Sequence, residues 1–247
     1  MHTTLKIFSA LLTYPSAELK DAAEELRRAI ENDKALSKQQ RAGIARLLGD
    51  FESKDLFDLQ ERYILLFDRT RSLSLHLFEH VHGESRDRGQ AMVDLQQLYE
   101  SHGLAFASTE LPDFLPLFLE FASTIPDGEA RALLAETAHI FAAIRQRLKK
   151  RGSAYEVVFW CLESLAKGKP DPAAVKAMLA TPDPDANDLE ALDAAWEEEE
   201  VRFGPATADC GHEGLAAKLR AGTRPAPGIV PPERQRTVFT HSPSNRA

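Results

Sequence analysis

Proline placement limits this chain more than any other property of its sequence. None occurs between Pro15 and Pro112, so that stretch is open to long helices, because proline costs about 3 kcal/mol inside a helix. Apolar residues recur there at helical spacing, and the alternating β-branched runs that are typical of strands are absent. The pattern predicts about eight to ten helices over residues 4–200, packed as one all-α domain.

Local signals mark where several of these helices begin and end. Ser16, Ser37 and Asp55 are suited to cap helix N-termini, the first of them for a helix that runs to about residue 32. Gly103 and Gly152 sit where helices should end.

The composition excludes several classes of protein. The 247 residues include two cysteines and carry a formal net charge of −8. Two cysteines do not make a disulfide scaffold, and they fit a reducing cytosol. No apolar run approaches the ~18 residues of a membrane span, and the start lacks the pattern of a signal peptide. We therefore expect a cytoplasmic protein that is not integral to a membrane and has no nucleic-acid partner.

Two segments differ from the predicted helical body. Residues 183–200 hold nine acidic residues and no basic one, which is typical of a solvated acidic helix. After Gly204 the chain is rich in Pro, Gly, Ser and Arg, and its last 27 residues contain four arginines and one acid. This composition predicts an all-α domain over residues 1–203 and a disordered tail over residues 204–247.

One cluster has the pattern of a metal site. Residues 76–80 read H-x-x-E-H, in which His76 and His80, four apart on a helix, could share a zinc ion while Glu79 acts as general base. Nothing in the sequence singles out a third protein ligand. The other interpretation is a packed helix whose histidines form hydrogen bonds at an interface. A zinc-dependent hydrolase is therefore the alternative function, although we predict neither a catalytic residue nor a bound metal.

A second informative stretch, residues 110–121, holds two prolines four apart. Pro116 suits the first turn of a helix, and Asp113 is placed to cap that helix or to accept hydrogen bonds just before it. Many apolar residues surround them: Phe114, Leu115, Leu117, Phe118 and Phe121. The stretch is either a buried corner between helices or the rim of an apolar groove that takes a partner helix.

These stretches together resemble a known family. The block from Tyr63 to Arg69, the block from Ser74 to Leu95, the Leu-Pro-Asp-x-Leu-Pro segment and the Trp-Glu-Glu-Glu stretch at Trp196 are similar to the delta-subunit chaperones of respiratory nitrate reductase. That family belongs to the wider class of all-helical molybdoenzyme chaperones. The resemblance covers about residues 1 to 203. One departure is Phe114, where the wider class usually has histidine.

The resemblance implies a binding protein that is not part of the finished enzyme. Its expected partner is the apo form of the nitrate reductase alpha subunit, bound chiefly at that subunit's N-terminus, with the proteins of molybdenum cofactor biosynthesis as further partners. It would hold the subunit competent for molybdenum cofactor insertion, assist iron–sulfur loading and delay membrane docking. It would bind no cofactor permanently, and we expect it to be a monomer.

The resemblance also suggests which residues line or support the peptide groove. They are Tyr63, Phe67, His76, Glu79, His80, His82, Asp113, Phe114, Leu115 and Phe118. Because histidine titrates near pH 6.5, a groove flanked by three histidines is expected to change its affinity for a partner between about pH 6 and 7.5.

Overall fold

The computed structural model describes residues 1–81, 86–104, 110–181 and 183. Within these residues the fold is all-α, as predicted. The eleven α-helices of the described part are α1 (His2–Leu11), α2 (Ala17–Asp21), α3 (Ala23–Glu31), α4 (Lys38–Ser53), α5 (Leu56–Tyr63), α6 (Arg86–Ser101), α7 (Leu115–Ala122), α8 (Asp127–Glu136), α9 (Ala138–Lys150), α10 (Glu156–Leu165) and α11 (Pro172–Ala180).

Three shorter turns complete the described elements. A π-helical turn, Ile64–Asp68, continues α5, and two 3₁₀ turns follow at Arg71–Leu73 and Leu77–Glu79. The described residues contain no strand, and their single extended pairing is an isolated antiparallel bridge between His76 and Phe114.

The predicted caps are confirmed. The side chains of Ser16, Ser37 and Asp55 each accept a hydrogen bond from a backbone N–H in the first turn of the helix that follows. At Ser37 the side chain of Gln40 in turn accepts a hydrogen bond from the Ser37 N–H, which completes a capping box. Gly103 and Gly152 have positive φ at helix ends. The helix predicted from residue 17 to about 32 is broken at Ala22, which separates α2 from α3.

Helix α9 packs against α10 and α11, while α3 packs on α4 and α1 on α7. Its buried apolar residues form one continuous core with those of the neighbouring helices. Cys161 lies in this core as predicted, and burial raises the pKa of its thiol to about 12, so it is an inert structural thiol.

Arg147, near the end of α9, is a buried cation that binds carbonyl groups. Its guanidinium donates to the carbonyls of Ser72, Met178 and Thr181 at 2.7, 2.6 and 3.1 Å. Next to it, the carboxylate of Asp183 accepts from Ser72 Oγ at 2.6 Å and from Arg151 at 2.5 Å. These bonds fix the end of α11 to the 3₁₀ turn at Arg71–Leu73.

The predicted tail, residues 204–247, and the acidic run beyond Asp183 lie outside the described residues, as do His82 and Glu84. The boundary at residue 203 therefore stays a prediction. Among the described residues, no helix combines the length and apolar character that crossing a bilayer requires.

Candidate functional site

The histidine-rich stretch is not the α-helix that the sequence predicts. Residues 76–80 form an isolated bridge and a single 3₁₀ turn, packed against the loop that precedes α7. We refer to residues 70–81 and 110–116 together as the Asp113 corner. The α-helix is replaced because backbone donors of the stretch bond to Asp113 instead of to their own preceding turn: Leu77 N–H donates to the Asp113 carbonyl at 3.1 Å.

Asp113 is the centre of this corner. Its side chain is completely buried and accepts from the backbone N–H of Phe78 at 3.0 Å, and its other carboxylate oxygen lies 3.3 Å from Nδ1 of His76. It does not cap α7, since Phe114 is the N-cap and makes no side-chain bond there. Leu115 N–H donates to the Leu75 carbonyl at 2.8 Å and joins the same two segments. Of the two predicted roles, Asp113 performs the second, accepting hydrogen bonds just before the helix.

The two described histidines of the cluster have opposite electrostatic surroundings. The hydrogen bond with Asp113 raises the pKa of His76. His80 Nε2 lies 2.8 Å from the carbonyl of Ser74, to which it must donate, and burial lowers the pKa of this ring. The folded chain thus favours the protonated form of His76 and the neutral form of His80.

The zinc-hydrolase hypothesis is wrong in its structural premise. His76 and His80 do not share an α-helical face, and each has a ring nitrogen engaged by an oxygen of the chain. Glu79 forms an ion pair with Arg88 at 3.3 Å. In the part of the chain that the structure describes, no group of His, Cys, Asp and Glu is arranged to hold a metal ion.

Most of the proline stretch is buried between helices, although Leu111 at its start is 46% exposed. Leu115 and Phe118 are fully enclosed, and Phe114 is half-buried with its ring 5.3 Å from that of His76. Tyr99 closes the other side, because its hydroxyl donates to the Pro112 carbonyl at 2.7 Å.

Tyr63 and Phe67 lie in a row of aromatic rings. Tyr14, Tyr63, Phe67 and Tyr155 follow one another with centroid separations of 5.6, 5.1 and 5.1 Å. The Tyr63 hydroxyl donates to the Leu12 carbonyl at 2.9 Å, and burial raises its pKa. Tyr63 and Phe67 are buried, whereas Tyr14, at the outer end of the row, is half exposed.

A surface groove begins where this row reaches solvent. It encloses a cavity of about 520 Å³, and we refer to it as the α5 groove. Its lining residues are Tyr14, Phe57, Asp58, Gln60, Glu61, Ile64, Leu65 and Arg69. The ring of Phe57, at 79% exposure, is the most exposed large apolar side chain described. None of the ten site residues predicted from the sequence is among these eight lining residues.

The π-helical turn shapes one wall of the groove. Arg69 N–H donates to the Ile64 carbonyl at 3.1 Å, five residues back, so the turn holds one residue more than an α-helical turn. Ile64 and Leu65 then line the groove while Phe67 stays in the core. The sequence did hold a signal for this surface, since the stretch from Leu56 to Phe67 has more apolar residues than a single buried face can use.

Comparison with known proteins places these features in a family. The family model described as nitrate reductase delta subunit matches residues 14–159. The nitrate reductase molybdenum cofactor assembly chaperone NarJ of Escherichia coli K12 is 45% identical over 216 residues, which cover 87% of this chain and 91% of that protein.

Two further proteins are similar to this chain. A second Escherichia coli K12 protein, named a probable nitrate reductase molybdenum cofactor assembly chaperone, NarW, is 40% identical over 203 residues, or 81% of this chain and 83% of that one. A solved structure from Archaeoglobus fulgidus, of a candidate redox enzyme maturation protein, aligns with a TM-score of 0.49 at 22% identity, covering 66% of this chain and 91% of that one.

Proposed function

The chain belongs to the nitrate reductase delta subunit family and is an assembly chaperone rather than an enzyme, and we propose that its client is the alpha subunit of a respiratory nitrate reductase. The observation that carries this proposal is the 45% identity to a nitrate reductase assembly chaperone across 87% of this chain.

In this proposal the chaperone acts in the cytoplasm on the apo form of the alpha subunit. It binds the subunit's N-terminal segment as a helix in an apolar groove and keeps the subunit competent for molybdenum cofactor insertion before it docks at the membrane. The cofactor is cargo of the client, so the chaperone needs no resident group. A binding role of this kind is supported by the α5 groove, where apolar side chains remain open to solvent.

The residues proposed from the sequence divide into two groups by their burial. Asp113, Leu115, Phe118, Tyr63 and Phe67 are buried and would support the binding surface from beneath. Among the others, His76, Glu79 and Phe114 reach the surface in part and could touch a client directly.

The test is co-purification of the tagged chain from cells that express the nitrate reductase. We expect recovery of the alpha subunit without its molybdenum cofactor, because the complex should dissociate once the cofactor has been inserted. Cells that cannot make the cofactor serve as the matched comparison, and there the recovered complex should increase several-fold. Failure to recover the alpha subunit from either strain would refute the proposal.

A further inference from the structure

The C-terminal end of α9 carries more positive charge than the helix itself requires. Its last turn holds Arg147, Lys149 and Lys150, and Arg151 follows directly. The C-terminal end of a helix has a partial charge of about −0.5, which a single cation outweighs. Arg147 is buried among carbonyl groups, whereas Lys149 and Lys150 are exposed. The helix dipole therefore does not account for the whole cluster.

The 3₁₀ turn Arg71–Leu73 packs against α9 and brings further cations to this end of the helix. Because Arg147 donates to the Ser72 carbonyl at 2.7 Å, the neighbouring Arg71 lies close to the end of α9. The one acid in residues 68–71 and 147–151 is Asp68. We refer to the exposed or partly exposed cations of these two stretches as the basic rim: Arg69, Arg71, Lys149, Lys150 and Arg151.

Asp183 is already bound at the basic rim. Its carboxylate accepts from Arg151 at 2.5 Å and from Ser72 Oγ at 2.6 Å, and its side chain is only 14% exposed. The first acid of the run 183–200 is thus anchored between α9 and the 3₁₀ turn. The other eight of its nine acids follow this anchor within seventeen residues, with no basic residue among them.

The same run contains one apolar stripe and is long enough to follow the rim. Leu189, Leu192 and Trp196 are three and four residues apart, a spacing that places them on one side of a helix. A helix of residues 184–200 would be about 26 Å long at 1.5 Å per residue. Lys149 and Arg71 each lie within two residues of a side chain that Asp183 touches, so both are within its reach.

We propose that residues 184–200 dock on the basic rim of their own chain, with Asp183 as the fixed end. Carboxylates of the run pair with Arg71, Lys149 and Lys150, while the apolar stripe faces the body. Opposite charges favour the contact, and the anchor makes it intramolecular. This inference gives a binding surface to a run that the sequence alone predicts to be solvated, and it does not depend on the identity of the client.

The anchor and the charge separate this occupant from two others. The acidic run of a second copy would compete with a run that is tethered at the rim, where short tethers give effective concentrations on the order of millimolar. The last 27 residues of the chain carry four arginines and one acid, so the rim repels them.

The first test is carbodiimide cross-linking of the full chain, which joins a carboxylate directly to a lysine that it contacts. We expect residues 184–200 to couple to Lys149 and Lys150 roughly fivefold more than to Lys34 and Lys38, which are also exposed but lie outside the rim. Salt at about 1 M should reduce this preference by screening exposed charges. An even distribution over the four lysines would show that the run is solvated and would overturn the inference.

A mixture of isotope-labelled and unlabelled chains distinguishes contacts within one chain from contacts between two. Cross-linked peptides that join residues 184–200 to the rim should be wholly labelled or wholly unlabelled. Pairs of mixed label would assign the rim to the acidic run of a second copy and would overturn the intrachain contact.

Proteolysis measures the same contact in variants. Docking should protect the bond after Trp196 from chymotrypsin, so Lys149→Glu with Lys150→Glu should speed its cleavage several-fold. Lys34→Glu with Lys38→Glu is the matched control, and its rate should stay within about twofold of the parent's, since these lysines lie outside the rim. Equal acceleration in both double variants would reflect net charge alone and would contradict the inference.

A charge exchange guards against a simple loss of stability in α9. Replacing the four glutamates of residues 197–200 by lysine in the chain that carries Lys149→Glu and Lys150→Glu should restore protection at Trp196. Each rate is divided by that of a peptide with the same sequence around the bond, which removes the preference of the protease. Without restored protection, the rim does not hold the acidic run.

Discussion

The Asp113 corner and the α5 groove differ in whether their side chains already have partners within the chain. The corner concentrates histidines and carboxylates, yet the carboxylate of Asp113 and the ring of His80 are already bonded within the chain. The groove has few reactive groups but exposes Phe57 and Tyr14 to water. In a protein that binds another chain, apolar surface open to solvent is therefore a better guide to the site than a cluster of reactive side chains.

If the polar groups of the Asp113 corner were needed for binding rather than for folding, the contrast between the corner and the α5 groove would be wrong. Asp113→Ala removes the acceptor of Phe78 N–H and of His76, and we expect it to lower the free energy of unfolding by about 3 kcal/mol. Urea denaturation measures this loss. The exposed Asp58→Ala should change stability by less than about 0.5 kcal/mol.

Peptide affinity gives the second half of that test. At a temperature where Asp113→Ala is still folded, its Kd for a peptide of the client's N-terminal segment should lie within about threefold of the parent's. A folded Asp113→Ala chain that no longer binds the peptide would assign the binding site to the corner.

Tyr63 tests the boundary between the two regions, because it lies under the groove and in the core. Tyr63→Phe removes the hydroxyl that donates to the Leu12 carbonyl and should cost about 1 kcal/mol in urea unfolding. The ring remains between Tyr14 and Phe67, so peptide affinity should be unchanged. A loss of affinity without loss of stability would show that Tyr63 contacts the client directly.

The corner should also have a pH dependence that the groove lacks. The raised pKa of His76 means that the folded state holds this proton more tightly than the unfolded chain. Its contribution is complete below about pH 6.5 and is lost as pH rises through the raised value. The slope of the urea midpoint against pH across this range should therefore be more negative in the parent than in His76→Gln. Parallel curves would contradict the assignment.

The contribution of His80 to stability changes with pH in the opposite direction. Because its pKa is lowered, the unfolded chain binds this proton more readily, so its contribution is present above about pH 6.5 and decreases as pH falls. In His76→Gln the remaining slope should therefore follow His80. Peptide affinity should stay flat over the same pH range if the groove alone binds the client, which would overturn the expectation of a histidine-controlled affinity.

The helices could be predicted because their signals are local. Ser37 caps α4 through bonds within four residues, and Pro116 lies in the first turn of α7 as its fixed φ allows. The 3₁₀ turn at Leu77–Glu79 could not be predicted in this way. The N–H groups of Leu77 and Phe78 bond to Asp113, more than thirty positions away, and such long-range bonds override local helix propensity.

The two parts of the candidate site differ in the same respect. The sequence indicated the Asp113 corner because its histidines and prolines occur in recognisable patterns. For the groove the sequence held only a general signal, the excess of apolar residues from Leu56 to Phe67, and it did not show which of them are exposed, since Phe57 differs from a core phenylalanine only in what packs against it. Nothing in residues 55–59 alone shows that Leu59 faces inward and Phe57 outward.

The extra residue in the turn Ile64–Asp68 acts as a phase shift in the helix. An α-helix advances about 100° per residue, so deleting one residue there would rotate every later side chain relative to α5 by about that angle. Phe67 would then leave the aromatic row, or Leu65 would leave the wall of the groove. The one extra residue of this π-helical turn thus keeps the buried and exposed side chains of the segment in register with each other.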